Sequence, residues 1–79
     1  MTHTLTRTER FLLNEVDSVP DKVVSPTILR HAVKLTPRGF RTVLNRMLDR
    51  NLLARTDDGK VTLTFGGMQA MRAAGMEVQ

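Results

Sequence analysis

Two helix starts of the same make stand close together in this chain, Ser25-Pro26 and Thr36-Pro37, and they constrain the fold more than any other feature. In each, a hydroxyl residue suited to N-capping precedes a proline. Proline is favoured at a first helical position because the N–H it lacks has no partner there. Two helices joined by one short connection are the result. The first is expected over 26–33 with Ile28, Leu29, Ala32 and Val33 buried, and the connection is Lys34-Leu35-Thr36, the length a helix-turn-helix uses. The second is expected over 37–50. There Phe40, Val43, Leu44, Met47 and Leu48 recur at i, i+3, i+4, i+7 and i+8, one continuous apolar stripe. Arg38, Arg41, Thr42, Asn45, Arg46 and Asp49 fall between those positions and face outward. Asn51 follows, where a helix commonly ends on a left-handed residue.

The flanking segments complete the frame. Thr6-Arg7-Thr8-Glu9 fits a capping box, so a helix runs from Thr6 to about Asp17 with Phe11, Leu12, Leu13 and Val16 buried, and Val19-Pro20 ends it. Residues 1–5, with His3 among them, are expected to be a disordered tail. Val23-Val24 is short and β-branched, which suits an edge strand. Residues 52–55 and 61–64 read as strands around Asp57-Asp58-Gly59-Lys60, a hairpin signal. Gly66-Gly67 breaks the chain, and a short last helix within 66–75 carries Met68, Met71 and Ala74 on one side. Met47, Met68, Met71 and Met76 fill gaps in the core, although Met68, Met71 and Met76 could instead form a dimer patch. The fold class is mainly α with a small β-hairpin: three core helices, a hairpin and a short terminal helix, in one domain over 1–79.

Bulk properties narrow the function. A chain of 79 residues has room for one domain. Hydrophobic residues at 41% and charged residues at 25% describe a globular chain. No apolar run approaches the roughly 18 residues of a membrane span, and no signal-peptide core opens the sequence, so a cytoplasmic location is expected. Without cysteine there is no disulfide, thiolate metal site or cysteine nucleophile. The acids are scattered, neither His3 nor His31 has an evident partner, and no glycine-rich phosphate loop precedes a helix. Neither an enzyme nor a metal or other cofactor is expected. The absence of Tyr and Trp argues against a base-stacking surface for single strands.

The net charge of +4 is unevenly spread. Residues 1–29 hold Arg7, Arg10 and Lys22 against Glu9, Glu15, Asp17 and Asp21; residues 56–79 hold Lys60 and Arg72 against Asp57, Asp58 and Glu77. Each segment is slightly acidic. Between them, Arg30, Lys34, Arg38, Arg41, Arg46, Arg50 and Arg55 face only Asp49. Arginine combines a permanent charge with a donor fork suited to phosphate oxygens and guanine edges.

The order of elements resembles the winged helix-turn-helix, and more narrowly the DNA-binding core of the MarR-type regulators. Leu35-Thr36 stands at that family's "LS" turn, and Phe40, Val43, Leu44 and Met47 match its buried recognition-helix positions. Leu52-Leu53 and Arg55 match "GL-x-x-R", with Asn51 at the Gly, and Leu63-Thr64-Phe65-Gly66-Gly67 matches "LT-x-x-G". The chain departs from the family in two places. The wing loop is "TDDGK", with two acids where the family has a longer, basic tip, and the family's long dimerisation helices have no counterpart, so no small-molecule ligand is carried over.

The resemblance implies a recognition helix over 37–50 in the major groove of double-stranded DNA, and a small transcriptional regulator or repressor, nucleoid-associated when bound; a homodimer is expected from the small size, since one such module makes limited specific contact. The residues agree independently. Arg38, Arg41, Thr42 and Asn45 occupy the first turns that reach base edges, where Arg suits guanine and Asn adenine. Ser25, Thr27 and Thr36 stand at helix N-termini suited to phosphate, and Arg30, Lys34, Arg46, Arg55 and Lys60 add non-specific attraction. Gly39 either permits close approach of backbone to DNA or to the preceding helix, or is merely tolerated. Two other readings remain open: a protein-interaction module docking its basic face on an acidic partner, and an architectural DNA binder without sequence preference.

Overall fold

The computed structural model describes residues 5–78. Helix α1 (Arg7–Ser18) starts on a complete capping box: the Thr6 hydroxyl accepts from the Glu9 amide at 3.1 Å and the Glu9 carboxylate from the Thr6 amide at 2.9 Å. Leu12, Leu13 and Val16 are buried as expected, but Phe11 is 46% exposed. Each residue turns a helix by about 100°. Glu9, Leu12, Leu13 and Val16 share one side, and Phe11, a step before Leu12, falls outside it. Leu5, expected in a disordered tail, is instead buried in the core; the rest of that tail, His3 included, lies outside the described residues.

Strand β1 (Val23–Val24) leads into helix α2 (Pro26–Val33) and then helix α3 (Pro37–Asp49). Helix α2 meets the core along the single line from Leu29 to Val33. Ile28 and Ala32 form the neighbouring line and are exposed, Ile28 at 63%, contrary to their expected burial. Lys34 ends α2 in the left-handed region at φ 56°. Helix α3 buries Phe40, Leu44 and Met47 fully and Val43 and Leu48 partly, then closes through Arg50 and a left-handed Asn51 at φ 60°.

Strands β2 (Leu53–Arg55) and β3 (Val61–Leu63) form the hairpin, and β1 adds to its other side, giving the antiparallel order β1-β3-β2. The register sets Ala54 and Val23 opposite Thr62, which leaves Val61 and Leu63 facing the core. The Thr62 hydroxyl donates to the Lys22 carbonyl at 2.9 Å. Helix α4 (Phe65–Ala73) begins earlier than expected. Thr64 caps it by accepting from the Gly67 amide at 2.9 Å and donates to the Asn51 carbonyl at 2.5 Å, so Gly66-Gly67 lie in its first turn rather than breaking the chain. A Cβ on Gly67 would stand 2.1 Å from the Leu52 carbonyl oxygen. That close approach is what the glycine permits. Met71 is fully buried, which removes it from any dimer patch, and Met68, Met76 and Val78 pack against the core.

The product is a mainly-α domain of four helices with a small three-stranded antiparallel sheet. Two ion pairs hold its buried acids. The Arg50 guanidinium donates to Glu9 at 2.9 Å and Lys22 pairs with Asp17. No helix among the described residues is long and apolar enough to cross a membrane.

Candidate nucleic-acid interface

The apolar stripe of α3 fixes what its other side presents. With Phe40, Leu44 and Met47 turned into the core, Arg38, Arg41, Thr42, Asn45 and Arg46 are all exposed. Asp49 is the one acid on that side, and it stands at the far C-terminal end of the helix. Local hydrogen bonding decides what the polar groups retain. The Thr42 hydroxyl donates to the Arg38 carbonyl at 3.1 Å, leaving oxygen lone pairs to accept. The Thr36 oxygen accepts from the Gly39 amide at 3.1 Å, leaving its proton to donate.

A second group converges beside α3. An open cleft of about 200 Å³ is lined by Arg30 and Thr27 of α2, Arg41 of α3 and Arg55 of β2, over a floor that includes Phe40 and Leu44. Three guanidinium-bearing residues from three elements meet there, and among the described residues no acid lines the space. Arg30 is half-buried and makes a long contact of 3.5 Å with the Leu35 carbonyl in the turn between the helices. Arg41 belongs both to the cleft and to the outer face of α3.

The remaining candidate residues are dispersed. Ser25 occupies the N-cap position of α2 but makes no capping bond, contrary to the expectation of two equal caps. The helix starts at the hydroxyl-plus-proline pattern without a side-chain bond to close it. Lys34 is exposed at the α2 C-terminus. Lys60 sits on the β2–β3 loop within 3.8 Å of Asp58, a loose and solvated pair. The Thr56 hydroxyl, hydrogen-bonded to Asp58, holds that carboxyl below its ordinary value of 3.8, with Lys60 adding a smaller share. The hairpin tip therefore carries its negative charge at neutral pH.

Two features were not anticipated. Arg50 counts toward the basic middle of the sequence, yet it points back to the buried Glu9, and no local pattern signals a pairing 41 residues apart. Phe40 and Leu44, read only as core, also floor the arginine-lined cleft. Gly39 can be narrowed. Beyond its chain neighbours and its own helix backbone, the only atom of the described residues within 4 Å of a Cβ placed there is the Thr36 hydroxyl oxygen, so close approach to α2 does not explain it.

No protein-family model matches the chain, and a search of the curated proteins finds no match either. What stands is the architecture: helices with a short antiparallel three-stranded sheet, an arrangement compatible with a winged helix-turn-helix.

Proposed function

We propose that this protein is a winged helix-turn-helix module that binds double-stranded DNA in a sequence-specific way, as a small transcriptional regulator. One observation carries the reading: the solvent face of α3 presents Arg38, Arg41, Thr42, Asn45 and Arg46 on a rigid helix whose opposite stripe is locked in the core. A helix about 10–12 Å across fits a major groove about 12 Å wide. Arg38 and Arg41 read guanine edges, and Asn45 reads adenine. Thr42, with its proton engaged, accepts from an exocyclic amine.

Phosphate contacts fall to the cleft and its surroundings. Arg30, Arg55 and Thr27 grip one backbone, and Thr36 donates to a phosphate from the start of α3. Lys34 and Arg46 supply further Coulomb attraction. These contacts fix register without carrying sequence information.

The test is a selection from random duplexes near 150 mM salt, followed by sequencing. Enrichment of an inverted-repeat motif supports the reading. Retention without any motif makes the protein an architectural binder, and no retention at this salt leaves the basic face to an acidic protein partner.

A further inference from the structure

A second surface lies outside the duplex-binding reading. The face of α1 that turns away from the core carries Arg7, Arg10, Phe11 and Asn14. With Leu5 before the helix and Met76 from the C-terminal segment, these residues line an open groove of about 450 Å³. It shares no residue with the arginine-lined cleft.

We propose that this groove docks an acidic peptide segment of a partner protein, one that places a large apolar side chain on Phe11 and carboxylates on Arg7 and Arg10. The charge and the apolar floor argue for it together. Phe11 is 46% exposed beside the sulfur-bearing Met76, and aromatic and methionine side chains are common anchors at protein interfaces. Arg7 and Arg10 are exposed and lie one helical turn apart along the rim. Among the described residues, no acid lines the groove. The nearby Glu9 is turned inward to Thr6 and Arg50.

The same charges disfavour the other occupants. A two-fold contact with a second copy sets the same patch against itself, gathering four arginines into one interface with no acid among the described lining residues to offset them. The chain's own first four residues, Met1 to Thr4, include no carboxylate side chain to match the arginines. A free duplex lacks the apolar group that would cover Phe11. An acidic, apolar-anchored peptide satisfies both parts, with charge giving orientation and buried apolar area giving affinity.

The experiment selects displayed random peptides on the full chain and titrates the enriched sequences by fluorescence polarisation. Arg10→Glu and Phe11→Ser serve as the variants, since both residues are exposed; circular dichroism checks that the fold is kept. Enriched peptides should combine Asp or Glu with Leu or Phe, and each variant should weaken them at least tenfold. Duplex affinity, measured in parallel on the selected DNA, should stay unchanged, which keeps this proposal separable from the function of α3. Peptides lacking acids, or equal binding to the variants, overturn it. So does a parallel loss of duplex affinity in Arg10→Glu, which would assign the groove to DNA. A dimer in sedimentation that Phe11→Ser dissolves would assign it to a second copy.

Discussion

Glu9 joins two parts of the molecule that the sequence keeps far apart. Its carboxylate accepts from the Thr6 amide, closing the cap of α1, and its second oxygen takes the Arg50 guanidinium at the end of α3. The acid is 2% exposed while Arg50 keeps 22% of its side chain in water. Leaving a buried charged acceptor without its partner costs at least about 1–3 kcal/mol, the range for a neutral group. Arg50→Met should therefore lower stability by at least that amount in urea denaturation. Glu9→Gln keeps a capping oxygen and removes the charge, so the double variant should be less destabilised than the two single losses added together; additivity would show that the pair is not coupled. Arg41 stands at the other functional extreme. It is exposed, lines the cleft and shares the outer face of α3, so Arg41→Ala should cost about 1–3 kcal/mol on the selected duplex and relax selectivity at one base position. An equal loss on scrambled DNA, read by fluorescence polarisation, would reduce it to a phosphate contact. These two arginines look alike in the sequence. Only the packing of α1 against α3 separates the structural one from the exposed one.

Elements were more legible than their contacts. The capping box, the two proline-led helices, the left-handed Asn51 and the Asp-Gly hairpin are local signals, and all four occur where local rules put them. The misjudged positions are tertiary ones. Phe11, Ile28 and Ala32 are apolar at plausible helical spacing, yet which line of a short helix meets the core depends on neighbours the spacing does not name. Leu5 is the reverse case, a residue before the first helix that the core takes up. Gly66-Gly67 read as a break because paired glycines usually interrupt helices; here they let α4 begin against the Leu52 carbonyl, under a Thr64 cap. Of the candidate site, the outer face of α3 followed from its periodicity. The convergence of Arg30, Arg41 and Arg55 from three elements did not. Three of the four N-cap positions among the described residues offer a direct test of this level. Thr36 and Thr64 each accept a first-turn amide and Ser25 does not. Thr36→Ala and Thr64→Ala should each cost about 1 kcal/mol, while Ser25→Ala should stay within about 0.5 kcal/mol of the parent, as for a surface change away from any such bond. Chemical denaturation of the three variants checks the order, and a Ser25→Ala loss equal to the others would mean that its hydroxyl caps α2 in solution.

If the proposed DNA-binding reading holds, the whole molecule sets how much duplex one copy can address. Its charge is asymmetric: the arginines of α2, α3 and β2 lie on one side of the charge balance, and the hairpin tip, with Asp57 and Asp58, on the other. Asp58 stays ionised well into the acid range because its carboxyl is held below 3.8. The sign follows: any stability this exposed group adds is present above its unfolded-state value and lost only as pH falls beneath it. On the proposed DNA-binding reading, a tip charged this way would be repelled by phosphates. Asp58→Asn should change duplex affinity by less than about twofold at 0.15 M salt, where charges beyond about 8 Å are screened, and moving from pH 7 to pH 5 should not mimic it. A clear gain in affinity would mean that the hairpin reaches the DNA. Size then limits the contact. The described residues extend 29 × 25 × 20 Å, shorter than the roughly 34–36 Å between half-sites one helical turn apart. On the proposed DNA-binding reading, one copy would cover one half-site, and useful specificity would need two. An inverted repeat centred one turn apart should therefore bind two copies cooperatively, both on the same face of the duplex. Inserting about 5 base pairs, half a turn, rotates the second half-site to the opposite face and should abolish the cooperativity while leaving each site its single-copy affinity. Sedimentation on the two duplexes distinguishes the cases: unchanged cooperativity after the insertion would mean that the copies do not meet through a fixed two-fold contact, and no cooperativity on either duplex would mean that each copy acts alone.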